Sequence, residues 1–218
     1  MHYGIFIGEK AKDQPVRILI LGESHHVSTD PKVTTDKVAG VPATYTTASV
    51  VLEHLEKLKN EKKGMHPFLT KIAQTFGAED EETFWRCVYF GNYIDVLCGI
   101  RDSIATNLLK ITDKCEELNR QLFAFIEENE IDVVFCFSRR VYSALPQLEK
   151  QDSENEVDGA DAHRLEKCIY NPGSRENVNI DLNKSVTFYG LRHTSQGFSY
   201  RKYQDRIKKV VQEHGLPF

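Results

Sequence analysis

The stretch Arg17-Ile18-Leu19-Ile20-Leu21-Gly22-Glu23-Ser24-His25-His26 constrains the fold of this chain more than any other. Its contiguous branched aliphatics leave no polar face for water, so the strand they predict, stopping at Gly22, must be covered on both sides. Such strands belong to parallel sheets with helices on both faces. The segments Ile131–Ser138 and Ser185–Ser195 repeat the pattern, and Phe84–Asp95, rich in aromatic and branched residues, predicts a fourth strand broken at Gly91.

Helical signals alternate with these strands. Thr46 or Thr47 is a plausible N-cap for a helix with Val51, Leu55 and Leu58 on one face and Gly64 at its end. A long helix is expected from Ser103 or Thr112 to Asn129, and a short one from Ser138 to Pro146. An amphipathic helix with Ile207, Val210 and Val211 closes the chain before Gly215. The segment 151–183 is polar and is expected to cross the surface with at most short structure of its own. The expected fold is a three-layer α/β/α domain around a short parallel central sheet, one domain over residues 1–218.

Composition narrows the classes. No apolar run approaches the roughly 20 residues needed to cross a bilayer, and the first residues lack the pattern of a signal peptide, so a cytoplasmic, membrane-free protein is expected. Five cysteines without close pairs argue against a disulfide framework or a zinc ribbon. The formal charge of −4 gives no global attraction to nucleic acid, so a polyanion would have to meet the local basic patch near the C-terminus.

In parallel sheets ligands collect at the carboxyl ends of the strands. Those ends carry Gly22-Glu23-Ser24-His25-His26, Gly91-Asn92-Tyr93, Ser138-Arg139-Arg140 and Arg192-His193-Thr194-Ser195. A carboxylate, an amide and imidazoles thus come from distant parts of the chain. Ser138 and Ser195 have a second reading as helix caps.

The order and spacing of these segments resemble the uracil-DNA glycosylase superfamily. Leu19–His26 is similar to its first motif, with Glu23 as in the thermophilic branch. Ala39–Leu55 resembles the Gly-x-Pro segment leading into the first long helix, and Val88–Val96 the strand ending in a base-reading Asn. Asp132–Leu145 is similar to a strand and helix start, and Leu191–Gln204 to the His-Pro-Ser loop followed by Tyr-Arg. The resemblance runs in order over about residues 16 to 210. It implies a base-excision enzyme acting on single- or double-stranded DNA as a monomer, hydrolysing the N-glycosidic bond of a damaged or modified base. Asn92 would read the base edge, Tyr45 would stack on the base, and His193 would stabilise the departing ring. Glu23 and Ser24 would hold or orient a water, His25 or His26 would act as base or phosphate contact, and Phe198 would wedge into the duplex. Arg192, Ser195, Arg201 and Lys202 would contact DNA.

The water-activating Asp of the best-known branch is replaced by Ser24, and two loop prolines by His25 and Thr194, which predicts slow or narrow action on plain uracil. The close cysteine pair near the start that holds the thermophilic branch's iron-sulfur cluster is missing, since Cys87 is the first cysteine, so no cofactor is expected. Two other readings stay open. His25 and His26 with Glu23 would bind a divalent metal in a hydrolase, although adjacent residues of an extended segment point to opposite sides. Alternatively, the same fold would bind nucleic acid or a nucleotide without cutting it.

Overall fold

The computed structural model describes residues 4–26, 47–61, 64–98, 112–146, 163–172, 182–194 and 198–216. Their strands form one six-stranded sheet: β1 (Phe6–Ile7), β2 (Ile18–His26), β3 (Tyr89–Cys98), β4 (Val133–Cys136), β5 (Glu166–Tyr170) and β6 (Val186–Gly190). The order is β1-β3-β2-β4-β6-β5. The inner four strands are mutually parallel, and the edge strands β1 and β5 run antiparallel to their neighbours. Six helices accompany them: α1 (Thr47–Glu61), α2 (Pro67–Thr75), α3 (Glu81–Arg86), α4 (Thr112–Glu128), α5 (Arg139–Ala144) and α6 (Tyr200–His214).

Strand alternation sorts the apolar residues into two cores. Ile18, Ile20, Phe90, Val133 and Phe135 face one side with residues of α1, α2, α3 and α6. Leu19, Leu21, Tyr89, Val134 and Cys136 face the other with residues of α4 and α5. Both faces of β2 are therefore buried over Ile18–Leu21, as this unbroken aliphatic run requires. The chain is an α/β protein with a mostly parallel sheet between two helical layers.

Several local expectations change. The first strand continues through Gly22 to His26, with a shift in its pairing to β3 between Ser24 and His25. Phe84, Trp85 and Arg86 end helix α3 instead of starting a strand, because the Asp80 carboxylate accepts from the Glu82 amide and caps the helix. Gly91 lies within β3 and does not break it. Helix α2 was not expected. Inside the segment read as a polar excursion, β5 rejoins the sheet and buries Tyr170.

A histidine pair ties α1, α2 and α3 together. The ring of buried His54 accepts the His66 backbone N–H at Nδ1 (2.9 Å), which leaves the proton on Nε2 to be donated to Glu81 at 2.8 Å. A Cβ on Gly64 would enter the His54 ring, so only glycine lets the chain pass here. His66 lies 6.1 Å from His54, ring to ring. Burial and then the His54 neighbour push its pKa below 6.5, with Glu53 opposing. His214 is lowered in the same direction by burial and then by Lys167.

Both rings stay neutral in the folded state at pH values where the unfolded chain already binds protons, so stability is lost as pH falls below about 6.5. Urea denaturation at a series of pH values between 7.5 and 5 checks this. The midpoint is expected to decline toward acid, and the double substitution His66→Gln and His214→Gln to flatten that decline.

Candidate functional site

The parallel row β3-β2-β4-β6 reverses direction of growth at β2. From β2 the chain goes outward to β3, then returns across β2 to β4 and on to β6. The carboxyl ends of β2 and β4 therefore flank a topological switch point, where open α/β sheets leave a crevice for ligands. Register sets the level of that edge: Leu21 is opposite Gly91 and Cys136, Gly22 opposite Asn92, and Cys136 opposite Gly190.

On the α1 side of the edge lies Asn92. Its side chain is buried, and Nδ2 donates to the Thr47 hydroxyl at the start of α1 (3.2 Å). Asn92 Oδ1 occupies the space that a Cβ at position 22 would need, so Gly22 is fixed by the amide of its neighbour strand. An Asn amide offers two donors and a carbonyl with two lone pairs. One donor goes to Thr47, and one N–H with Oδ1 can address a ligand.

Glu23 follows Gly22 on the opposite side of β2, and its side chain is 1% exposed. Three bonds hold it: Ser138 Oγ donates to Oε2 at 2.6 Å, and Arg140 donates through Nε to Oε2 at 3.1 Å and through Nη2 to Oε1 at 2.5 Å. Ser138 also accepts the Val141 backbone N–H at 3.3 Å and so caps α5. The cap reading of Ser138 thus holds, and the same hydroxyl also meets Glu23. The arrangement is a forked guanidinium on a buried carboxylate, the strong form of ion pair.

Beyond β6, Arg192 donates its backbone N–H to the Tyr203 hydroxyl at 3.0 Å, and burial pushes the Tyr203 pKa up. His193 is half-buried, and the carbonyl of buried Thr194 accepts from Lys71 at 3.2 Å. Phe198 stacks on Tyr203 with ring centroids 5.4 Å apart and lies 6.2 Å from Phe137. Its ring is engaged with the core, in a position different from the protruding wedge that the resemblance implies. Arg201 and Lys202 are exposed on the first turn of α6, and Arg201 lies over the Tyr200 ring at 5.7 Å.

The structure thus brings Gly22, Asn92 and Thr47 together on one side of the edge, and Glu23, Ser138 and Arg140 on the other. Asn92 and the His193 loop stand at opposite ends of the row, with β2 and β4 between them. At about 4.8 Å per strand this is ~14 Å, so a ligand touching both would lie across the crevice. Ser24 is half-buried in β2. Tyr45, Ser195 and the side chains of His25 and His26 lie outside the described residues. Among the described residues no group of three or more His, Cys, Asp or Glu is arranged to hold a metal ion, and no helix is long and apolar enough to cross a membrane.

Sequence reasoning placed Arg140 at a strand end and offered Thr47 only as a helix cap, without giving either a partner. The available signal was electrostatic: a carboxylate on a strand buried on both faces requires a cation from an adjoining strand end. No known family model matches the chain, and no curated protein matches it either.

Replacing Arg140 by Met strands the buried Glu23 charge. The pair is half open to water on the Arg140 side, so the expected loss is roughly 2 kcal/mol in urea denaturation, below the usual value for a fully buried pair. Adding Glu23→Gln to Arg140→Met is expected to restore part of the loss, because no uncompensated charge then remains.

Proposed function

We propose that this chain is a uracil-DNA glycosylase-like protein that receives one extruded nucleobase at the carboxyl edge of its sheet and hydrolyses the bond between base and sugar. The observation that carries the reading is Asn92. Its amide is held by Thr47 and by the gap at Gly22, with a donor and an acceptor left for a base edge. An amide fixed in advance reads hydrogen-bonding edges without reordering on binding. The order of motifs along the chain supports the same reading, as do the cations Arg192, Arg201 and Lys202 beside the His193 loop.

In this reading His193 donates to the ring oxygen on which charge grows as the base departs. Glu23 orients Arg140 and the start of α5 and is engaged there instead of serving as a general base, so the proton of the attacking water passes to the departing base. Water attack then depends on the base being a good leaving group, which fits the absence of the family's Asp at Ser24. DNA approaches along the start of α6, where phosphates meet Arg201 and Lys202.

The Glu23–Arg140 pair also favours a second reading, a protein that binds an extruded base without cutting it. One experiment separates the two. Oligonucleotides carrying uracil, deaminated and modified bases are incubated with the protein, treated with alkali, and assayed in parallel for binding. Glycosylase action gives strand breaks at one class of base, and His193→Ala loses about 10² to 10³ in rate with the fold intact. Base-selective binding that Asn92→Asp alters, without breaks, identifies the non-cutting protein. Neither breaks nor base-selective binding overturns both. In either case Arg201→Ala with Lys202→Ala is expected to weaken binding to all sequences and reduce its salt dependence.

A further inference from the structure

We propose that the cleft between α6 and the edge strand β5 is a phosphate-binding site, separate from the position of Asn92 and independent of the base-binding reading. Lys167 of β5 pairs across the sheet with Tyr189 of β6, so both side chains lie on the face that α6 covers. With Leu165 from the same strand side, and Arg206, Lys209 and Glu213 from α6, they line a cavity of about 80 Å³. Three cations thus meet one carboxylate among the lining residues, a positive excess that suits a phosphate anion.

The size excludes larger occupants. Pockets for drug-sized molecules run to about 300 Å³ or more, so this one has room for a single tetrahedral oxyanion and not for a base or nucleoside. Its polar wall is built. Tyr189 bonds His214 Nε2 at 3.0 Å, and Arg206 Nη1 donates to the His163 carbonyl at 2.5 Å, which fixes the guanidinium at the mouth. Lys167 and Lys209, by contrast, have no carboxylate in ion-pair contact among the described residues. At the amino ends of the central strands the cations are paired, Arg17 with Glu130 and Lys184 with Asp132, each at 2.5 Å. Edge strands often carry lysines that keep other strands away, but those project into solvent, whereas Lys167 turns inward over a cavity it shares with a helix.

Tyr189 stands one residue before Gly190, which is level with Cys136 at the carboxyl edge. Arg206 is six residues into α6, about 9 Å along its axis. A phosphate here is therefore close to the edge but beyond the reach of Asn92, where the backbone of a longer nucleic acid or a free phosphate would both fit.

Titration of the full chain with inorganic phosphate at low ionic strength, by calorimetry and by NMR of the His214 ring, tests the site. One saturable site is expected. Lys167→Gln and Lys209→Gln should each weaken it about tenfold, the scale of one charge-assisted hydrogen bond, with unchanged circular dichroism. Bound phosphate should also raise the His214 pKa by offsetting Lys167. Absence of saturable binding up to about 10 mM, a Kd weaker than ~−3 kcal/mol of binding, overturns the proposal, as does binding that neither substitution changes. An oligonucleotide arm fixes the source. Weaker oligonucleotide binding in the double variant assigns the phosphate to a nucleic-acid backbone, and unchanged binding assigns it to a free phosphate. Asn92→Asp leaves phosphate titration unchanged in both cases, so this site and the base-binding reading fail separately.

Discussion

A buried carboxylate two residues past the aliphatic run of β2 sets the terms for everything around it. Glu23 can remain there only if a cation reaches it, and the cation comes from Arg140, just past the end of the neighbouring strand. Ser138, between them in sequence and in space, donates to the same carboxylate and caps the helix that carries Arg140. One ion pair thus joins β2 to the turn after β4 and to the start of α5. It does so at the switch point, where the sheet would otherwise be open.

The alternation of a strand then separates two kinds of chemistry. Glu23 points to the α5 side, so Gly22 faces the α1 side, and there its missing side chain makes room for the Asn92 amide. The side with the ion pair is saturated, with three bonds on one carboxylate. The side with the amide keeps hydrogen-bonding capacity. A single residue step along β2 therefore divides a structural cluster from a surface suited to a ligand. This division is why the proposed function gives the carboxylate, the most conspicuous group in the sequence, a supporting role and the amide the contact with a ligand.

The layered α/β architecture was legible because its signals are local and strong. Contiguous apolar residues at Ile18–Leu21 and Val133–Phe135 admit only strands covered on both faces, and the spacing of Ile207, Val210 and Val211 fixes a helix against one of them. The edge strands were not legible: Phe6–Ile7 is two residues long, and Glu166–Tyr170 is half polar and has the appearance of a loop. Phe84-Trp85-Arg86 misled because aromatic content favours strands, while the Asp80 cap that decides for a helix lies four residues earlier. At the site, sequence located the four strand ends but not the pairing of Glu23 with Arg140, which are 117 residues apart. Such a partner follows from topology, and topology follows from sheet order.

In the proposed function the Asn92 side of the carboxyl edge receives a nucleobase. The most direct measurement is NMR of the side-chain amide of Asn92 during titration with free nucleobases and nucleosides, with the Lys167 and Tyr189 backbone amides observed at the same time. The account expects the Asn92 amide and the Gly22 backbone to shift together and saturably with at least one base, while Lys167 and Tyr189 remain unmoved. Saturable binding of a base that leaves Asn92 and Gly22 unperturbed, with the shifts gathered elsewhere on the protein, would contradict it.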